Sequence, residues 1–380
     1  MCIRDRYYWD KTSGLSARAV SLDSLAGSTT APTIAKQIMV SDRDRHIIAF
    51  GCDSELNPGV QDPLLIRFSS QESLTDWATR PDNTAGELKI GSGSEIVAAV
   101  ETRQQILVYT DESLYAMQFL GPPFTFGVNL VSENTTIMGP LSAIAVEDNV
   151  FWMGLKEFYS YGGTVQRLPC TVRDFVFDDF NLLQREKVVA ATNTAFSEIW
   201  WFYPSASSDD NDRYVVYNYE QQVWYYGALA RSFWMDRGIF DNPIAAGPNN
   251  YLYTQEFGFD DDGTAITAYI ESSQMDIGDG DHFTCVRRVI PDLSFSGSTA
   301  ISTPQATFTI KARDFPGEDF ANTGAGTTTR TQVSPVEEYT KQLYVRARGR
   351  SFALRVESTA LGAKWRLGSP RVDIRQDGRR

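Results

Sequence analysis

Histidine is nearly missing from this chain, with two in 380 residues. Nucleophile–base catalysis ordinarily needs an imidazole within hydrogen-bond reach of a serine or cysteine. His46 ends the stretch Ser41-Asp42-Arg43-Asp44-Arg45-His46 and His282 follows an acidic turn; neither has such a neighbour in a recognisable setting. Gly91-Ser92-Gly93-Ser94 lacks the G-x-S-x-G spacing of a nucleophile elbow. Two histidines are too few for most catalytic zinc sites, and no phosphate-cradling or dinucleotide glycine motif occurs. The chain therefore reads as a protein that is not an enzyme, with no catalytic residue, no cofactor and no metal site.

Cysteine is scarce as well. With Cys2 set aside, Cys52, Cys170 and Cys285 are far apart, odd in number and without a C-x-x-C pair. That argues against a disulfide framework and a zinc cluster, and for buried reduced thiols suited to a cytoplasm. No apolar run approaches the roughly 20 residues of a membrane span. The longest, such as 47–50 and 199–202, have the length of buried strands. The opening Met1-Cys2-Ile3-Arg4-Asp5-Arg6 has no apolar h-region, so it does not read as a signal peptide. It matches a translation of ATG TGT ATA AGA GAC AG, which resembles a transposon end used in library preparation. Residues 1–6 are accordingly expected to be a sequencing or cloning scar.

Positive charge is in deficit, 35 Lys and Arg against 48 Asp and Glu for a net −13, and unevenly so. Residues 341–380 carry eleven Lys and Arg against Glu357, Asp373 and Asp377, a local +8 that leaves −21 for the rest. An acidic body repels nucleic acid, whereas a basic end suits acidic partner surfaces or phosphate.

What the chain has in quantity is short aromatic strands. Segments 45–77, 106–121, 150–163, 198–227 and 250–272 each run from an apolar β-rich stretch through a polar turn into a second strand. Their apolar starts at Ile47, Ile106, Val150, Ile199 and Tyr251 give a loose period suited to four-stranded propeller blades. Trp77 and Trp224 take comparable outer-strand positions in this reading. Tyr7-Tyr8-Trp9-Asp10 looks like the end of a further blade. The expectation is an all-β chain with a degenerate β-propeller of five to six blades, the first truncated, over residues 7–272. A two-sheet sandwich with long hairpins is the structural rival. One short helix is expected, about Asp179 to Ala190, capped by Asp178 or Asp179 with Leu182, Leu183 and Val188 packing.

Between Glu256 and Asp281 there are eight acidic residues and no basic ones, and after Val286 the pattern becomes cleaner hairpins. Residues 273–380 are expected to form a C-terminal β-sandwich. In the 341–358 hairpin Leu343, Val345 and Ala347 alternate with Tyr344, Arg346 and Arg348, and Phe352, Leu354 and Val356 continue the apolar set on one sheet. Residues 320–335 read as a mobile Gly/Thr-rich loop.

Paired carboxylates (Asp178/Asp179, Asp209/Asp210, Asp260/Asp261/Asp262) keep a carboxylate-based propeller hydrolase open as a lesser alternative. Asp260-Asp261-Asp262-Gly263 lacks the alternating oxygens and terminal Glu of an EF-hand loop. The run Trp200-Trp201-Phe202-Tyr203 suggests a sugar-binding platform. Alternation, however, puts Trp200 and Phe202 on one face and Trp201 and Tyr203 on the other, as an inter-blade core would need.

The phrases LYAMQFLGPPFTF (114–126), MGP followed by VFWMG and FYSYGG (138–163) and LPCTVRDFVFDDFN (168–181) run in a fixed order. EIWWFYPS (198–205) and YNYEQQVWYYGALARSFWMDRG (217–238) follow, and RARGRSFALRVES with KWRLGSPRVDIRQDGRR closes the chain over 346–380. In this order they resemble the tail hub, or nozzle, proteins of short-tailed bacteriophages, the group containing the packaged-DNA stabilisation protein. The resemblance implies a structural virion protein in the phage tail, assembled in the host cytoplasm. It further implies a homo-oligomeric ring, a hexamer, beneath the portal and adaptor. Such a ring closes the head and forms the ejection channel, with DNA passing without sequence-specific binding. Arg346, Arg348, Arg350, Arg366, Arg371 and Arg375 are the candidate contacts to a neighbouring subunit or tail protein. The alternative is a receptor- or glycan-binding tail protein.

Overall fold

Strands in this chain are two to nine residues long, and those of the first unit pair mainly with their sequence neighbours. In the computed structural model, which describes residues 7–276, 278–300, 302–315 and 331–378, they divide between two compact units, the first ending at Glu256 and the second beginning at Phe257. Residues 1–6, the expected scar, and 316–330, which include 320–330 of the expected loop, lie outside the described residues. No helix is long and apolar enough to cross a membrane among the described residues.

The first unit is built of consecutive antiparallel meanders. Gln37–Val40, Ile47–Phe50, Leu65–Phe68 and Gly86–Lys89 form the first sheet. Ile96–Glu101, Ile106–Thr110, Ser113–Gly121 and Thr125–Glu133 form the second, and Ala143–Val146, Asn149–Met153, Phe158–Tyr161 and Val165–Leu168 the third. Val189–Asn193, Glu198–Tyr203, Arg213–Asn218 and Val223–Ala228 make the fourth; Phe233–Met235, Ile244–Ala246 and Leu252–Thr254 make a three-stranded fifth. From the second sheet onward, the first strand of each lies against the first strand of the next. Leu141 bridges Val189 in parallel, and Gln37 exchanges two 2.8 Å hydrogen bonds with the backbone of Ala99. Meanders joined through their first strands with stacked faces are the blades of a β-propeller.

Four apolar cores lie between successive blades. Ile48, Phe50 and Phe68 meet Ile106, Met117 and Phe126 between the first and second, and Leu107 and Tyr109 meet Trp152 and Tyr159 between the second and third. Met153 and Phe158 meet Trp201 and Tyr217 between the third and fourth, and Trp200 and Phe202 meet Trp234 between the fourth and fifth. The second strand of a blade is thus buried on both faces, which is why its sequence is an unbroken apolar run. The free face of the first blade is covered by Leu22, Ala31, Ala35 and Trp77.

Several expectations are corrected. Trp77 lies in the connection between the third and fourth strands of its blade, fully buried with Nε1 donating to Leu74 O (3.0 Å), whereas Trp224 is on an outer strand. The fifth apolar start, Tyr251, precedes a third strand and not a second, because the second is the short Ile244–Ala246. Tyr7–Tyr8 pairs with Val20–Ser21. The helix is Arg173–Asp178, earlier than expected, so Asp178 ends it and Asp179 is its C-cap. Asn181 then captures Leu183 N (3.1 Å) and opens a 3-10 segment, Leu182–Lys187, which buries Val188 but leaves Leu182 and Leu183 exposed.

The second unit packs two sheets face to face around Val286, Val289, Phe295, Phe308, Ile310, Leu343, Val345 and Phe352, a β-sandwich. Ala268–Glu271 pairs with Ser351–Ser358, so the unit starts before residue 273 and the strand expected to end the propeller belongs to the sandwich. Thr331–Glu337 is a strand paired with Gln305–Arg313, so 331–335 is not loop. The 341–358 stretch is not one hairpin sheet. Leu343–Gly349 pairs with Thr284–Ile290, but Ser351–Ser358 pairs with Gln305–Arg313 in the other sheet. The chain turns this corner at Gly349, where an added Cβ would lie 2.9 Å from Arg313 O.

Candidate interaction surface

The three-stranded sheet of the second unit runs Leu343–Gly349, Thr284–Ile290, Arg371–Gln376. Its inner face supplies Leu343, Val345, Ala347, Val286 and Val289 to the core. Strand alternation sends Tyr344, Arg346 and Arg348 outward. Across the sheet Arg348 stands opposite Cys285, which stands opposite Arg375; Tyr344 stands opposite Arg288, which faces Asp373; and Ile290 faces Arg371. A register shift between Val286 and Arg288 adds Arg287 to the exposed side. Six arginines therefore share one face of three strands.

Four of the six sequence candidates come together here: Arg346, Arg348, Arg371 and Arg375. Arg350 sits at the corner between the sheets, its guanidinium 4.9 Å from the Phe283 ring that Arg348 also covers at 4.1 Å. Arg366 lies apart, on a two-residue strand paired with Leu293–Ser294. Arg287 and Arg288 were not among the candidates. Their signal was present as Cys-Val-Arg-Arg-Val, but the bulge breaks the alternation that would have placed them.

Arg348 is held by Asp377 (2.6 Å) and Arg288 approaches Asp373 (3.8 Å). The side chains of Arg287, Arg346, Arg371 and Arg375 make no hydrogen bond or ion pair within the described residues. Neighbouring side chains on one face of a strand are about 6–7 Å apart. Like charges at that spacing in water repel by about 0.6 kcal/mol per pair, less with salt. The surface is thus arranged to receive anions, and guanidinium forks match carboxylate or phosphate oxygens two at a time.

The other chemical candidates fall in structural settings. His46 is fully buried among Phe68, Phe119 and Phe126, with Nδ1 2.7 Å from Ser69 O. His282 lies 4.0 Å from Asp281. Asp179 approaches Arg213 (3.5 Å), Asp210 accepts from Lys187 (2.8 Å), and Asp260–Asp261 is half of a two-residue ladder closed by Gly263. No three His, Cys, Asp or Glu converge among the described residues. Two carboxylates that the sequence did not single out do meet: Asn193 Nδ2 donates to both Glu198 (3.4 Å) and Glu256 (3.1 Å), and Tyr225 and Trp200 also donate to Glu198. Burial and the nearby Glu198 charge raise the Glu256 carboxyl above its ordinary range. Cys52 is buried and Cys170 and Cys285 half-buried; burial pushes the Cys170 thiol up to about 11.

No protein-family model matches the chain, and no curated protein matches it. Solved structures similar to it include Kluyveromyces marxianus Hsv2, at 7% identity and TM-score 0.37 over 70% of each chain. The AfRom2 CNH domain is similar at 12% identity and TM-score 0.33, over 64% of this chain and 74% of that one. The N-terminal domain of Nup159 is similar at 10% identity and TM-score 0.31, over 56% of this chain, which spans about half (52%) of that one. At such scores these likenesses carry no argument, and the propeller stands on its sheet order and its four inter-blade cores.

Proposed function

We propose that this chain is a structural virion protein of a short-tailed phage, a tail hub or nozzle subunit that closes the head below the portal and adaptor. One observation carries the reading: the phrases that resemble the nozzle proteins pack against one another. Met138, Phe151, Met153 and Phe158 come from the 138–163 phrase, Val176 and Phe180 from 168–181, and Trp201 and Tyr203 from 198–205. Tyr217 comes from 217–238, and all nine lie in a single inter-blade core. The reading is supported to this extent: the phrases that carry the resemblance belong to one packed part of the fold.

Charge fits the role. Residues 1–256 hold 32 Asp and Glu against 19 Lys and Arg, net −13, whereas residues 257–380 hold 16 of each. A wall of like sign to DNA lets a passing duplex slide without adhering. The glycan-binding alternative drew on the aromatic load, but Trp200, Trp201, Phe202 and Tyr203 are all buried.

The test is DNA retention. Heads filled in a host lacking this chain should lose their DNA to added nuclease, and purified chain added before the nuclease should restore protection. Heads that keep their DNA without the chain would contradict the reading.

A further inference from the structure

The half-buried carboxylates of Glu198 and Glu256 have no counter-ion. Neither makes an ion pair among the described residues. Every hydrogen bond they accept comes from a neutral donor: Asn193 Nδ2 to both, Trp200 Nε1 (3.0 Å) and Tyr225 Oη to Glu198 alone. Two anions held side by side and partly out of water are unfavourable unless a proton or a cation joins them. The raised Glu256 carboxyl, caused by burial and the Glu198 charge, expresses that cost.

Strand register builds the cluster. Asn193 ends the first strand of the fourth blade and Glu198 begins the second, directly opposite it across the 194–197 turn. Trp200, two residues along the same strand face, steadies the Glu198 carboxylate. Glu256 follows Leu252–Thr254, the last strand of the three-stranded fifth blade. Asn193 is fully buried, its carboxamide aimed at both carboxylates, and its Oδ1 has no hydrogen-bond partner. The two ends of a carboxamide are nearly equal in shape, so a half-turn about χ2 sets Oδ1 where Nδ2 stands. An oxygen there faces Glu256 at 3.1 Å and Glu198 at 3.4 Å.

Those separations are edges of a coordination shell. Oxygens about 2.4 Å from calcium and at right angles are about 3.4 Å apart, whereas the strict octahedron of magnesium has edges of about 2.9 Å. An all-oxygen set with unequal, longer edges suits the larger and more tolerant ion. We propose that Glu198, Glu256 and Asn193 hold a calcium ion, with water completing its shell on the side where Tyr225 is exposed. The ion would tie the turn of the fourth blade to the end of the fifth, whose strands are the shortest of the five blades. The site stands independently of the tail-hub reading.

Terbium takes the oxygen ligands of calcium and emits when a nearby indole is excited, and Trp200 lies against Glu198. Full-length chain titrated with terbium chloride should give saturable, indole-excited emission that calcium displaces and magnesium displaces at least tenfold less well. Glu198→Gln/Glu256→Gln should weaken terbium binding at least tenfold, and Asn193→Asp, which adds an anionic oxygen, should strengthen it. Asp260→Asn/Asp262→Asn, in a separate acidic turn, should leave it unchanged. Calcium should also raise the thermal unfolding midpoint of wild type and leave that of the glutamine variant in place. Emission absent from wild type, equal in wild type and the glutamine variant, or lost only in the Asp260 variant would overturn the proposal. So would an unchanged affinity in Asn193→Asp, or a wild-type midpoint indifferent to calcium, either of which decides the matter if the glutamine variant does not fold.

Discussion

Asp53 shows how a single side chain fixes a segment that has no regular structure of its own. It is 1% exposed and accepts from Thr33 N (3.1 Å), Thr33 Oγ1 (2.7 Å), Ile34 N (3.0 Å) and Gly59 N (2.8 Å). Burial pushes its carboxyl up, but the hydrogen bonds outweigh burial and hold it below the usual range. Arg67, 2% exposed, ties the same region by donating to Thr30 O (2.7 Å) and Asp53 O (3.3 Å). A carboxyl lowered by folding contributes stability that is fully present above its unfolded value and is lost as pH falls from there through the lower folded value. Asp53→Ala should therefore cost about 3 kcal/mol at pH 7. In urea unfolding the gap between variant and wild type should narrow towards pH 3; a gap constant with pH would contradict the assignment. None of this was legible in Cys-Asp-Ser-Glu, because the donors at 33–34 are about 20 positions away.

At the scale of elements, what the sequence made legible was burial on two faces. Runs such as Ile106–Thr110 and Glu198–Tyr203 have no polar alternation because neighbouring blades cover both sides, and alternation correctly split Trp200 from Trp201. Trp201 spans the third and fourth blades, its Nε1 donating to Ser142 O at 3.0 Å. Trp201→Ala should cost about 3–5 kcal/mol. Val223→Thr, on the exposed outer strand of the same blade, should stay within about 0.5 kcal/mol. Equal losses in denaturant midpoint would mean the two strands are not buried as differently as the propeller requires. Less legible was the corner at Gly349. The apolar set moves from odd positions (Leu343, Val345, Ala347) to even ones (Phe352, Val356) across the corner, both sheets turn their inner faces to one core, and only strand pairing reveals the change of sheet. The helix was misplaced for a local reason: Asn181 and the kink at Gln184 divide what hydropathy reads as one amphipathic turn.

For the whole molecule, the propeller followed by a sandwich was readable from spacing and composition, and the boundary was not. Ala268–Glu271 has the character of a propeller strand, but its partner lies some eighty residues further on, beyond the reach of local pattern. The arginine surface was half readable: strand alternation exposed Arg346 and Arg348, while their meeting with Arg375 and Arg371 depends on a third strand laid beside Thr284–Ile290. Both the charge division and the tail-hub reading belong to this scale. The most direct measurement is negative-stain imaging of full-length chain mixed with portal–adaptor complexes. A ring on the complex axis beneath the adaptor, absent from complexes alone, is the expected result. Bare complexes beside monomers of this chain would contradict it.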